Sequence, residues 1–257
     1  MKKILWIAGL IFLLCGNVYS KNTKLIKDNS YSNNIKWKFL EFNLPEGEWK
    51  LVEKSYWSVS TISIDCINFM QTENNIWKAS YNICQIKNGG KHAQLLGAWL
   101  TSYLKNDKHD NCTLRPEYFY VKALFKGASS NCYVSRHIDP NKEIYFPDDP
   151  NDTSARLKKF IRDRSLKLPK IMLSFESIYY SNLRDKAISM SVAINPEAYG
   201  ANKTLYDNEI DSEYHRNKIN KYLDKKNFIT NWTKKMSIQH SLLEDQLEAK
   251  IDFKLNF

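Results

Sequence analysis

The chain has 257 residues, of which 38 are Lys or Arg and 28 are Asp or Glu, so its formal net charge is +10. Hydrophobic residues make up 43% and charged residues 26% of the chain, which is near the composition of globular domains and excludes wholesale disorder and collagen-like repeats. A single stretch is apolar enough to enter a bilayer as a helix, so a helical membrane protein with several spans is excluded as well.

The first twenty residues have the parts of a secretory signal. Lys2 and Lys3 form a positive start, residues 4–15 form an apolar run, and the VYS tripeptide before Lys21 supplies small residues at a cleavage site. The apolar run is shorter than the about 20 residues that span a bilayer. We therefore predict cleavage after Ser20 and export of the mature chain to the periplasm or the medium. Without Lys2 and Lys3 the 38 basic residues become 36 against 28 acidic ones, a net charge of +8.

Cys15 leaves a second product of export open, a lipid-modified cysteine. That signal requires a small residue before the cysteine, and Leu14 occupies the position, so the sequence favours plain cleavage. Residues 21–34 are polar and without periodicity, which predicts a flexible lead-in. No linker rich in Pro or Gly divides residues 35–257, so we predict that they form one domain.

The first predicted hairpin carries two of the four cysteines of the mature chain. Residues 61–70 and 77–86 have strand composition and flank a polar turn at residues 72–75. In a hairpin the numbers of facing residues have a constant sum, here near 150, which places Cys66 opposite Cys84. Facing residues of antiparallel strands lie within disulfide range.

The second predicted hairpin carries a third cysteine. Residues 118–125 and 132–138 have strand composition, and elimination leaves Cys112 to pair with Cys132. An even number of cysteines in an oxidising compartment favours two disulfides over four buried thiols. No CxxC motif and no zinc-finger spacing is present, so a thioredoxin-like or structural zinc role is disfavoured.

Two helices are predicted between the hairpins. Apolar residues recur at helical spacing over residues 91–105, and a basic amphipathic helix is predicted over residues 155–168. The basic side of this helix is interpreted either as an anion-binding surface or as an ordinary solvent-exposed face. The residues of that predicted surface are Arg156, Lys158, Lys159, Arg162 and Arg164.

The remainder of the chain supplies a third strand pair, a helical region and a last strand. Residues 171–180 and 187–194 form the strand pair, residues 219–223 and 228–249 have helical periodicity, and residues 251–257 alternate strictly. An alternating apolar C-terminal strand with a terminal Phe also resembles the last strand of outer-membrane β-barrels, so a small barrel stays open as an alternative. The predicted helices favour an ordinary strand at a sheet edge.

Hairpins followed by helices predict an α+β fold. We expect a single domain with an antiparallel sheet built from successive hairpins and amphipathic helices packed on one face.

The motifs typical of elbow-type serine hydrolases, zincins and nucleotide enzymes are absent from the sequence. His137, at a strand end with Ser135 and Asp139, is the one candidate for a hydrolase with a nearby carboxylate. The acidic residues Asp148 and Asp149, with Asp152, suit turn and cap positions better than a calcium loop.

We therefore assign no catalytic, metal or cofactor-binding residue and expect no cofactor. The sequence favours an exported, non-enzymatic binding or accessory protein of the envelope with a basic surface. Its partner is expected to be an anionic lipid or glycan rather than nucleic acid, and a periplasmic hydrolase that uses His137 is the alternative.

Overall fold

The computed structural model describes residues 24–59, 62–88, 112, 115, 118–126, 129–145, 155–181, 186–206 and 208–248. Several predictions lie outside these described residues. They concern the signal at residues 1–20, the helix at 91–105, the acidic loop at 148–152 and the strand at 251–257.

The described residues form ten strands and three α-helices. The strands are β1 (Ser30–Tyr31), β2 (Asn34–Trp37), β3 (Leu40–Asn43), β4 (Trp49–Val59), β5 (Ile62–Glu73), β6 (Ile76–Asn88), β7 (Tyr118–Lys126), β8 (Ser129–Ile138), β9 (Met172–Ser181) and β10 (Lys186–Ile194). The helices are α1 (Pro140–Tyr145), α2 (Ala155–Asp163) and α3 (Leu223–Glu248), with short 3-10 helices at Glu197–Tyr199 and Ile219–Lys221.

Eight of the strands form one antiparallel sheet in the order β1-β4-β5-β6-β10-β9-β8-β7, and β2 pairs with β3 separately. The three predicted hairpins are present as β5–β6, β7–β8 and β9–β10. Strand β10 pairs with β6 on its other side, so the third hairpin follows the first in the sheet although the second lies between them in the chain.

The expected α+β arrangement with helices packed on one face is wrong. The structure is mostly antiparallel sheet with one long helix, α3, at the C-terminal side. Apolar residues of α3 pack with one face of the sheet, whereas Ile161 of α2 packs with residues of the opposite face. The prediction failed because helical periodicity shows that a segment has an apolar side but not which surface that side meets.

The turn of the β5–β6 hairpin explains why its register was predictable. Asn74 and Asn75 both have left-handed backbone angles, with φ of 51° and 62°, as two-residue hairpin turns require, and Asn tolerates them well. The resulting register pairs Cys66 with Cys84 directly. The structure joins these cysteines, and Cys112 with Cys132, in disulfides, which is the pairing expected from the sequence and fits an exported protein.

The main core lies between the sheet, helix α3 and the β2–β3 hairpin. Trp232 of α3 meets Phe175 of β9 edge to face, with ring centroids 6.2 Å apart. Phe42 of β3 stacks on Tyr81 of β6 at 5.4 Å. Because such large rings bury much apolar area each, this side of the sheet supplies most of the hydrophobic stabilisation.

The N-terminal segment takes part in the fold from residue 24 onward. Leu25 is buried in the main core, and Ser30 and Tyr31 pair with Lys50 and Trp49 of β4. The part of the predicted lead-in that the structure describes therefore lies along the sheet edge.

Candidate binding site

A row of polar side chains crosses five neighbouring strands on the sheet face opposite α3. The register places Glu53 opposite Asn68, Asn68 opposite Asn82, Asn82 opposite Ser191 and Ser191 opposite Glu176. We call these five residues the polar row. With strands about 4.8 Å apart, the polar row extends over about 19 Å.

Two asparagines form the centre of the polar row. The Asn82 side-chain amide donates a hydrogen bond to Oδ1 of Asn68. Asn68 is almost fully buried, and its Nδ2 has no hydrogen-bond partner in the described structure. A buried amide donor without an acceptor is costly, and this atom is enclosed between the strands, so the accessible polar groups of the row are those of Asn82, Ser191 and Glu176.

Glu176 forms the end of the polar row at β9. Its Oε1 accepts hydrogen bonds from Arg136 Nε at 3.1 Å, from the second guanidinium nitrogen at 2.9 Å and from the Ser174 hydroxyl at 2.9 Å. These contacts fix the carboxylate through one oxygen. The side chain is 34% exposed, so the other oxygen can accept a hydrogen bond from outside.

The opposite end of the polar row is also charge-compensated. Lys27 lies 3.5 Å from Glu53, as Arg136 lies beside Glu176. Each carboxylate thus has a cation beside it, and the row as a whole offers donors and acceptors without a large net charge. Such a surface suits a ligand rich in hydroxyl or amide groups better than a bare anion.

Apolar clusters lie on both sides of the polar row. Ile161 of α2 packs with Met70 and Met172 on one side, and Ile86 packs with Tyr180 on the other. The row is therefore a polar strip between apolar ridges, as ligand sites commonly are.

His137 packs against the loop that carries Glu209. Its ring is fully buried, and Nε2 is 2.8 Å from the backbone carbonyl oxygen of Glu209. The carboxylate of Glu209 is directed elsewhere, to the Asp139 amide and to Lys142. Ser135 pairs with Thr233 at 2.7 Å, so the described contacts of the predicted constellation are structural.

Several basic side chains of α2, and Arg164 just after the helix, are buried or have contacts within the protein. Lys158 is buried, Lys159 pairs with Asp163 at 2.9 Å, and the Arg164 guanidinium stacks 3.7 Å from the Phe160 ring centre. Arg162 is half-buried, and Arg156 has no described side chain. The anion-binding surface predicted on this helix stays a prediction, with Lys159, Arg162 and Arg164 as its accessible members.

No group of three or more His, Cys, Asp or Glu side chains in the described part of the chain is arranged to hold a metal ion. No helix among the described residues is both long and apolar enough to cross a membrane.

Comparison with known proteins adds no relative: no family model, curated protein or solved structure matches the chain. The candidate site is therefore defined by its geometry. Sequence reasoning did not find the polar row because its members are scattered from residue 53 to residue 191. Their common signal was the alternation of β6, where Ser80, Asn82 and Cys84 alternate with apolar residues.

Proposed function

We propose that the chain is an exported, non-enzymatic binding protein of the cell envelope whose ligand lies on the polar row. The observation that supports this most strongly is the set of hydrogen-bonding groups that the row leaves open. They are the Ser191 hydroxyl and the exposed Glu176 oxygen, which belong to residues that face one another on neighbouring strands.

The ligand that best fits these groups is a glycan of the envelope. Sugar hydroxyls both donate and accept hydrogen bonds, so they can satisfy an amide donor and a carboxylate acceptor at once. The pairing of each carboxylate with a cation leaves little charge to attract a simple ion. The net charge of the mature chain still favours association with an acidic glycan over a neutral one.

The hydrolase alternative has no described geometry in its favour. A general base needs to reach a substrate, and the His137 ring is enclosed with its Nε2 against a backbone carbonyl.

The test is binding of the purified mature chain to immobilised neutral and acidic oligosaccharides. Asn82→Ala removes an amide from the row, and Glu176→Gln replaces a charged carboxylate with a neutral amide. We expect binding to fall by about tenfold or more for each, as lost hydrogen bonds to partly buried groups do. Asn227→Ala and Glu48→Gln make the same chemical changes at exposed positions outside the row and should bind like the parent.

The melting temperature of each variant separates lost binding from lost folding. Loss of binding with unchanged melting supports the proposal. Unchanged binding in both row variants, or the absence of any glycan binding by the parent chain, contradicts it.

A further inference from the structure

A second surface with a different chemistry lies in the loops between β10 and α3. Four large apolar side chains protrude there, with exposures of 64% for Leu205, 43% for Tyr206, 72% for Ile210 and 66% for Leu223. Ten large apolar residues are exposed in the described structure, so nearly half of them fall within nineteen residues of the chain. Such concentrations mark interaction surfaces more often than scattered single residues do.

These loops line a surface cavity of about 220 Å³. It is lined by Tyr206, Asp211, Lys218, Lys221 and Tyr222. Each of the four protruding residues lines this cavity or is the chain neighbour of a residue that does. We call the four apolar residues the patch; three come from the loops and Leu223 is the first residue of α3, and all four are joined through the chain to the lining of one depression.

The backbone beneath the patch is firmly held. The Leu205 amide donates to the buried Glu213 carboxylate at 2.8 Å, and the Thr204 amide donates to Glu197 at 2.6 Å. The buried Lys225 ammonium donates to the carbonyls of Asn202 and Lys203. The exposure of the apolar residues is therefore built into the fold and is not a consequence of loosely held loops.

Exposed cations lie in the same stretch of chain as the patch, and the described carboxylates there already have partners. Lys203, Arg216 and Lys221 are exposed. Asp211 pairs with Lys218 at 3.0 Å, Asp224 accepts from Asn202 at 2.7 Å, and Glu209 pairs with Lys142 at 3.3 Å. The pKa of Asp211 is lowered by its contacts with Lys218 and Asn208, so this carboxylate stays ionised and bound to its partners.

From this arrangement we propose that the patch is a membrane-docking surface for an anionic phospholipid bilayer. Protruding aliphatic side chains enter the headgroup region, tyrosine rings lie at the boundary, and lysine and arginine contact lipid phosphates. A glycan is the less suitable occupant, because Leu205, Ile210 and Leu223 cannot stack on sugar rings as aromatic side chains do. The polar row is not needed for this docking, so the two proposals stand or fall separately.

The test is sedimentation of the full mature chain with lipid vesicles. One set consists of phosphatidylglycerol mixed with phosphatidylcholine, and the other of phosphatidylcholine alone. We expect binding to the anionic vesicles, weakening as salt rises, and little binding to the neutral ones. The double variant Ile210→Gln and Leu223→Gln should bind at least about tenfold more weakly, and so should Arg216→Gln with Lys221→Gln.

Helix α3 supplies matched controls. Ile238 and Leu242 are also exposed, and Lys234 and Lys235 are exposed cations beside them. Replacing each pair with Gln removes similar apolar area or the same charge from a different surface. These α3 variants should bind like the parent. Lys159→Gln with Arg162→Gln tests the basic surface predicted on α2 as a competing contact, and binding that survives this change assigns the contact to the patch.

Three results would overturn the inference. The first is no association of the parent chain with anionic vesicles. The second is binding lost in an α3 or α2 control but kept in the patch variants, which would place the contact elsewhere. The third is size-exclusion chromatography in which the parent is a dimer and the patch variants are monomers, since the patch would then join two copies of the chain. Glycan binding by the same preparations reports independently on the polar row.

Discussion

Residues that are neighbours along a strand place their side chains on opposite faces of the sheet, and in the middle of this sheet those two faces carry different side chains. Leu51, Phe69, Tyr81, Val192 and Phe175 form a row across five strands on the α3 side. On four of these strands the polar row occupies the adjacent position, and on β4 a bulge between Leu51 and Glu53 adds one residue. Alternation of side chains along a strand is enough to separate a row of large apolar groups from a row of amides, a hydroxyl and carboxylates.

This difference separates a face that is packed against other elements from the face to which we assign the proposed ligand. The apolar row is fully buried against α3 and the β2–β3 hairpin. The polar row is only partly buried, and its hydrogen bonds are incomplete.

The largest expected effect comes from the apolar row. Phe175→Ala should lower the free energy of unfolding by about 3–5 kcal/mol, because it leaves a cavity beside Trp232 and Tyr133. Urea unfolding measures this loss. Tyr56→Ala is the control, since Tyr56 is an exposed aromatic residue and should cost far less. A loss below about 1 kcal/mol for Phe175→Ala would contradict the assigned core.

The disulfide beside the polar row should contribute the next largest effect. Cys66 and Cys84 are 18 residues apart, and closing a loop of that size stabilises by roughly 3 kcal/mol. The double variant Cys66→Ser and Cys84→Ser should have a lower melting temperature, and its free energy of unfolding should fall by roughly 3 kcal/mol. Intact mass under non-reducing conditions should show the parent 4 Da lighter than four free thiols would make it, about 1 Da for each thiol hydrogen lost in two disulfides. A parent with free thiols would refute both pairs.

Lowering the pH should reduce the free energy of unfolding through one buried histidine, His240 of α3. Burial, and to a lesser extent Lys122, lowers the pKa of His240 to about 4, and Nε2 lies 2.9 Å from Oδ1 of Asn131. The unfolded chain binds this proton near pH 6.5, so stability is fully present above that pH and is lost as the pH falls toward 4. The loss should reach about 2 kcal/mol at pH 5.

The comparison for the acid effect is His240→Gln, which removes the titrating group at the same position. Its unfolding free energy should change less than that of the parent between pH 7 and pH 5. Parallel curves for the two proteins would assign the acid effect to other groups.

The smallest expected effect on stability comes from the polar row itself. Glu176→Gln should change the free energy of unfolding by less than about 1 kcal/mol, because the carboxylate is about one-third exposed and its pair with Arg136 is screened by water. Thermal unfolding measures the change. A loss comparable to that of Phe175→Ala would show that the polar row holds the fold together and would weaken its assignment as a binding surface.

Much of the local structure could be predicted from the sequence. The three hairpins depend on strand alternation and polar turns within about 30 residues, and Asn74 and Asn75 set one register closely enough to pair Cys66 with Cys84. The basic helix was predicted over 155–168, but α2 ends at Asp163. After the helix, Lys167 pairs with Ile76 in an isolated β-bridge. Helical periodicity could not predict this pairing because Ile76 is far from Lys167 in the sequence.

The candidate site was beyond such reasoning. Its members come from β4, β5, β6, β9 and β10, and their alignment depends on β10 lying between β6 and β9. The sequence indicated His137 as a candidate because Ser135 and Asp139 are close to it in the chain. In the fold its ring nitrogen meets the carbonyl of Glu209, 72 residues away.

The sequence by itself determined the strands of the three predicted hairpins, their partners, the cysteine pairs and the apolar side of α3, because alternation, turn geometry and helical spacing act over short distances along the chain. Only the tertiary structure decided the order of the hairpins in the sheet and which face each helix covers. It also decided which polar side chains meet. Those outcomes depend on how separate apolar surfaces bury one another, and no pattern local to one segment contains that information.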